Sequence, residues 1–337
     1  MRTEYGDISP RTAAFAVKKL LERGKYLLVT EYFGQIDPQG ENKTKTRKYR
    51  RYDSLSRAIA PLAEGISPAG QKMTATDITV NLEQYGDKVE ITDVIADTHE
   101  DNVMAEATKL CAEQIGETIE TVRINVLKAG TNVFYANGVT TRATVDSKPV
   151  RGDFRRIVRY FKKYKGREHT ELIAPTAKIS TFPVAPAYWA LGHTDLDSDL
   201  RGISGFVPVE QYSDPSKAIM GEIGKIEGVR IVLTPLFEPW MASGTAGTTY
   251  LSSGGAVSGA TACDVYPLIF LARDAFTIVP LAGKNAVKPT VINPGTPDKS
   301  DMLGQIGFVA WKMWQGCVIL NQNWIARLEC AATANPT

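Results

Sequence analysis

The chain holds three histidines, His99, His169 and His193, and four cysteines, Cys111, Cys263, Cys317 and Cys330. A histidine beside a serine or cysteine does acyl-transfer chemistry with the imidazole as base. Here the three lie far apart in sequence and nothing local selects a nucleophile for any of them, so each reads as a surface or capping histidine. The cysteines show neither CxxC spacing nor a Cys/His cluster of metal-ligand spacing. Each sits beside apolar or small residues, which reads as a buried thiol in a reducing compartment. Phosphate-binding loops need Gly-Lys followed by Ser or Thr, and Gly24-Lys25-Tyr26 and Gly283-Lys284-Asn285 both fail. No GxGxxG follows a strand, and no GxSxG elbow occurs. Asp195-Leu196-Asp197-Ser198-Asp199 resembles the start of a calcium loop, but Leu200 and Phe206 stand where an EF-hand needs Gly and Glu. Acids at a helix start are favoured by the helix dipole without any metal. No catalytic residue, metal ligand or cofactor is therefore assigned.

One concentration of charge asks for an explanation. Between residues 43 and 52 lie Lys43, Lys45, Arg47, Lys48, Arg50 and Arg51, with no acid among them. Such a segment cannot bury its charges without partners. Pairing with acidic surfaces on a neighbouring copy of the same chain is the main reading. Phosphate binding, with Tyr49 and Tyr52 stacking on bases, is the alternative, and a solvated tip is the third.

The elements that must position these residues can be read from pattern. The 337 residues suit one large domain or two or three coupled ones. Hydrophobic content of 43% and charged content of 23% are ordinary for a globular protein, and a net charge of +2 selects no partner. No apolar run approaches the ~20 residues of a membrane-spanning helix, and the N-terminus lacks the apolar core of a signal peptide. The expectation is a soluble protein made in the cytoplasm.

Ser9, Pro10 and Gly24 punctuate a first helix with an apolar stripe of Ala13, Ala14, Val17, Leu20 and Leu21. Arg11, Lys18, Lys19, Arg23 and Lys25 populate the rest, as a solvated face or as an arm touching nucleic acid or a neighbouring subunit. Residues 34–76 have no long apolar period, and an extended hairpin reaching from the body fits them. Ile78, Val80 and Leu82, then Val89 and Ile91, predict two strands around a turn at Tyr85-Gly86-Asp87. Residues 98–129 carry the strongest helix signal, with Thr98 and Asp101 at capping-box spacing and Val103, Ala107, Leu110, Ile115, Ile119, Val122 and Val126 as its stripe. That helix would be about 45–50 Å long. A shorter helix is expected over 153–164 and another from about Thr194 to Ile203. Strands are expected at 229–233, 268–271, 307–313 and 316–320, with a Gly/Ser-rich surface loop over 244–261.

The order of these parts resembles the Hong Kong 97 (HK97) capsid fold, and more closely the major capsid proteins of N4-like tailed bacteriophages. The stretches that carry the match are TEYGDISPRTAA (3–14), LAEGISPAGQ (62–71), LEQYGDKVEITDVIADTHED (82–101), KAGTNVFYANG (128–138), HTDLDSDLRGISGF (193–206), EGVRIVLTPLFEPW (227–240), DVYPLIFLARDAF (264–276) and LGQIGFVAWK (303–312). None is specific alone. In order, they span nearly the whole chain.

The resemblance implies an α+β chain. Residues 1–35 would be the N-arm and 36–75 the E-loop lying over an adjacent subunit. Residues 76–130 and 291–315 would form a P-domain built on the spine helix, and 131–290 and 316–337 an A-domain around the symmetry axes. It implies a structural subunit, not an enzyme, that forms pentamers and hexamers of an icosahedral virion head around double-stranded DNA. The partners implied are other copies of itself, packaged DNA, a separate scaffolding protein, a portal and decoration proteins, with no membrane and no cofactor. The short segment before the first helix is the reason for expecting a separate scaffold. Lys43, Lys45 and Lys48 lie where some relatives carry a cross-linking lysine; no acceptor Asn or catalytic carboxylate can be placed, so no cross-link is expected. The competing classes are a non-specific nucleic-acid-binding protein using residues 43–52, and a hydrolase, which the absence of motifs disfavours.

Overall fold

The computed structural model describes residues 28–59, 61, 64–65, 67–98, 103–171, 183–212, 218–247, 249–252, 262–283, 287–297 and 301–334. The first helix and its basic residues lie outside that set, as does His99.

The chain enters through β1 (Gln35–Ile36), then β2 (Thr46–Tyr52), β3 (Ala75–Asn81) and β4 (Glu83–Thr92). Helices α1 (Asp93–Thr98) and α2 (Val103–Lys128) follow, then β5 (Val133–Tyr135) and α3 (Arg151–Lys163). Next come β6 (His169–Glu171), β7 (Pro183–Gly192), the short α4 (Asp197–Arg201), β8 (Val207–Pro208), β9 (Glu222–Ile226) and β10 (Val229–Leu233). The last strands are β11 (Tyr266–Leu271), β12 (Phe276–Pro280), β13 (Val287–Ile292), β14 (Ile306–Ile319) and β15 (Ile325–Cys330).

Helix α3 shows how pattern becomes packing. Phe154, Ile157 and Phe161 recur at helical spacing and all three are fully buried. The Asp153 carboxylate accepts the backbone N–H of Val150 at 3.2 Å, satisfying one orphan donor of the first turn. This face covers an eight-stranded sheet of order β5-β15-β11-β7-β10-β9-β8, with β6 paired to β7. Its strands β10 and β11 are buried at every position, so they read as continuous apolar runs and not as alternation. The other face packs on Ile124 and Leu127 of α2 and on Val29 and Phe33.

The second sheet is organised by β14. Strand β4 pairs with Ile306–Gln315 along one edge. On the other edge β13 pairs with Phe308–Met313 and β12 with Gln315–Ile319, and β1 extends the sheet beyond β12. Val309, Trp311 and Met313 alternate onto α2, where Ala107, Cys111, Ala112 and Ile115 meet them. The Trp311 indole donates to Gln114 Oε1 at 3.0 Å.

Several expectations change. The predicted break between 307–313 and 316–320 is absent, because β14 runs unbroken. Gly316 is there for close approach: a Cβ would lie 2.9 Å from both Asn81 O and Val80 Cγ2. Gly316→Ala is expected to cost about 1–3 kcal/mol through overpacking; an unchanged urea midpoint would contradict this. The predicted turn at 85–87 is likewise inside β4. Gly86 faces the Trp311 backbone, where a Cβ would sit 2.7 Å from its carbonyl. The chain changes sheets instead at buried Leu82, between β3 and β4.

The long helix spans 26 residues, roughly 39 Å at about 1.5 Å per residue. Thr98 is the last residue of α1, and the expected cap partner Asp101 lies outside the described residues. Leu110 is 62% exposed, because the buried stripe runs through Ala107, Cys111, Ile115, Glu120, Ile124 and Leu127. The start of the 244–261 segment is docked, not loose: Thr245 N donates to Val145 O at 2.9 Å, and Ser252 is fully buried.

Candidate interaction surfaces

Strands β2 and β3 form a two-stranded ribbon in full antiparallel register from Thr46↔Asn81 to Tyr52↔Ala75. Between them, every described residue of 53–74 is exposed. The ribbon carries the basic segment, and pairing decides its electrostatics. Arg50 stands opposite Asp77, and its Nε and Nη2 donate to the two carboxylate oxygens at 2.7 and 2.8 Å. That guanidinium holds the Asp77 carboxyl below its ordinary value. Arg47 donates to Asp37, which also accepts the Tyr49 hydroxyl at 3.2 Å. Lys45 lies 3.3 Å from Glu83. Arg51 donates to the carbonyl of Leu320 at 3.3 Å. Three of the six cations thus find acids within the chain itself, while Lys43 and Lys48 make no ion pair among the described residues. Exposed pairs of this kind contribute little stability, but they tie down side chains that the sequence leaves open to a neighbour.

At the other end of the N-terminal segment, a buried polar cluster fixes its root. Glu120 of α2 is fully buried. Its two oxygens accept the backbone N–H of Thr30 at 2.9 Å and the Thr30 hydroxyl at 2.7 Å. One turn on, Arg123 donates to Glu31 at 3.0 Å. Burial pushes the Glu120 carboxyl up to about 7, against the Thr30 bonds and Arg123, which favour the anion. Burial also pushes the nearby Cys317 thiol up to about 12. Sequence patterning misses this cluster, since charged residues in a helix read as its solvated side. Thr30 and Glu31 are thereby held on α2.

The histidines and acids separate in space. His169 is buried against Phe33, with ring centroids 6.2 Å apart, which corrects the surface reading. Burial lowers its imidazole to about 4. His193 is a capping histidine: its Nδ1 accepts the N–H of Asp195 at 3.1 Å. The three aspartates of the calcium-loop-like stretch point at three different partners. Asp195 accepts the Tyr266 hydroxyl at 2.8 Å, Asp197 accepts Arg201 Nε at 2.9 Å, and Asp199 accepts both the N–H and hydroxyl of Thr333 at 2.7 Å. Among the described residues no group of three or more His, Cys, Asp or Glu is placed to hold a metal ion. Cys111, Cys263 and Cys330 are buried free thiols and Cys317 is partly buried.

The strand order, the long helix laid on the smaller sheet and the projecting ribbon define a capsid subunit of the HK97-like fold. The sequence profile of the family described as phage capsid protein matches residues 75–324, and the chain belongs to that family. Over 140 residues it is 30% identical to the major capsid protein of Pseudomonas phage KPP21, covering 40% of this chain. The aligned part spans about a third of that relative's length, 34%. Among solved structures, the cyanophage Pam1 capsid asymmetric unit superimposes with a TM-score of 0.65 at 13% identity, covering 92% of this chain and 94% of that one. The capsid of Ralstonia phage GP4 gives 0.62 at 11%, covering 90% and 88%. The SrpI encapsulin of Synechococcus elongatus PCC 7942 gives 0.50 at 11%, covering 90% and 86%. At these identities the structures establish the fold. The family establishes a structural capsid protein of a phage virion.

Proposed function

We propose that this chain is the major head subunit of an N4-like tailed phage, and that its copies form pentamers and hexamers of an icosahedral shell around double-stranded DNA. The observation that carries the reading is the β2–β3 ribbon with its linker. Leu55, Ile59 and Met73 stand exposed on a segment the chain's own core never covers. Single exposed apolar residues mean little. Three on one projecting linker of a capsid-fold chain suit a strap lying over a neighbour. The ordered resemblance of eight segments supports the N4-like assignment.

Sheet membership supports a modified division of the chain. β12 and the end of β14 hydrogen-bond in the smaller sheet, so the peripheral unit would include 276–280 and 316–319 beside 82–130 and 291–315. The E-loop would be the ribbon and linker, 46–81, with β1 belonging to the peripheral sheet. Arg11, Lys18, Lys19, Arg23 and Lys25 are proposed to face packaged DNA through sequence-independent phosphate contacts. Scaffolding, portal and decoration proteins are the further partners of this reading.

Negative-stain microscopy of the purified chain tests the proposal: shells, or rings of five and six, are expected, and a persistent monomer opposes it. Lys48→Glu with Arg51→Glu is expected to abolish those particles at an unchanged melting temperature. This pair is preferred because Arg47 and Arg50 hold the ribbon together. Normal shells from the variant would refute the ribbon's role. Strong salt-dependent binding of free DNA by the unassembled chain would favour the nucleic-acid reading instead.

A further inference from the structure

At the root of the ribbon lies a groove of about 560 Å³. Lys43, Lys45, Lys288 and Lys312 line it, with Leu281 and Trp314 as apolar floor and Glu41 among the walls. Lys288 and Lys312 stand directly opposite each other across β13 and β14, and both are exposed. Like charges in that position repel, and no ion pair to either is present among the described residues. The site therefore holds concentrated positive charge beside an indole.

The complementary surface is at the far end of the same sheet. There α1 and the 301–306 turn meet through Asp93 N donating to Gln305 O at 2.9 Å. Met302 is 84% exposed and Leu303 78%, and Val94, Ile95 and Ile306 are exposed beside them. Acidic Asp93 opens α1, and a second aspartate, Asp97, follows four residues on in the sequence. The Asp93 carboxylate accepts the Val94 N–H at 2.7 Å and makes no ion pair among the described residues. An acidic, apolar tip thus matches a basic groove with an apolar floor.

The two cannot meet within one chain. Ile306 at the tip and Lys312 in the groove are six residues apart on one straight strand, roughly 20 Å at about 3.3 Å per residue. We propose that the tip of one copy, Asp93–Thr98 with the 301–306 turn, docks into the lysine groove of a second copy. Because the two patches differ, the contact is head-to-tail and propagates into rings or lattices. It rests on the shell reading and names one of its contacts.

The test uses charge exchange on the full chain, read by negative-stain microscopy and by melting temperature. Lys288→Glu with Lys312→Glu should abolish particles while leaving the melting temperature in place, since one like-charge pair replaces another. Asp93→Lys with Asp97→Lys should do the same. The chain carrying all four substitutions should assemble again. If the wild type assembles and either double variant assembles equally well, the docking is wrong and the shell reading stands. If the fourfold variant fails although it melts like the wild type, the pairing is wrong. A wild type that never assembles removes the shell reading and this contact with it. Loss of DNA binding in Lys288→Glu/Lys312→Glu with shells intact would assign the groove to a polyanion and overturn the proposal.

Discussion

Arg230→Ala is expected to lower the unfolding free energy by about 3–5 kcal/mol, the range for stripping one partner from a buried ion pair. The side chains of Arg230 and Glu222 are both buried, with Nε donating to Oε1 at 2.7 Å and Nη2 to Oε2 at 2.6 Å. Glu222 also accepts the Tyr212 hydroxyl at 2.9 Å and the Ile219 N–H at 3.1 Å. The guanidinium lies over the Trp189 ring, 4.5 Å from its centroid. Alanine leaves a buried carboxylate with no cation and an indole face with no cover. Glu222→Gln with Arg230→Met keeps an acceptor for Tyr212 and Ile219 and abandons no charge. That double variant should therefore be the more stable of the two in urea titrations. The reverse order would mean that loss of the aromatic stacking, not the stranded charge, dominates.

The second large effect is a pH dependence from Glu120. Its folded pKa, about 7, lies above its ordinary value of 4.5. The folded state therefore holds this proton more tightly than the unfolded state. The resulting stability is complete below about 4.5 and is lost as pH rises to about 7; beyond that this group contributes no further change. At 1.36 kcal/mol per unit the whole swing is on the order of 3 kcal/mol. The groups facing Glu120 are Thr30, Arg123, Glu31 and Cys317. Glu120→Gln keeps an oxygen for Thr30 and removes the titration. Wild-type melting temperature should fall relative to that variant between pH 5 and pH 7.5. Parallel curves across that window would show that Glu120 stays ionised in the fold.

These two sites mark where sequence reasoning stops. Helix α3 was legible because Phe154, Ile157 and Phe161 repeat at one period and one packing partner answers them. Strand β15 was not, since Arg327 and buried Glu329 interrupt an apolar run whose charges are answered by Arg142. Glu120 was hidden for the same reason: Thr30, which satisfies it, lies 90 residues away. The basic run was visible as a concentration of charge, but Asp37 and Asp77 become its partners only once strand register is known. Gly86 reads as a turn signal, because a sequence shows a missing side chain without showing the neighbour that needs the space. Membership of the capsid family, which the profile matches over 75–324, was legible through resemblance rather than periodicity.

Strand β14 has a mechanical consequence. It runs without a break from Ile306 to Ile319, and only five residues, 320–324, separate it from β15 in the larger sheet. A pull applied between the peripheral end and the larger sheet is thus carried by one line of peptide bonds. The flanking strands share that load in shear along ten consecutive pairings with β4 and six with β13. Stretching the subunit along this axis must strain covalent backbone or slide whole ladders at once, so it is stiffest in that direction. The base of the ribbon is clamped to the same strand system, with Val80 and Leu82 packed on Val279 and Arg51 donating to Leu320 O, so that load reaches the ribbon as well.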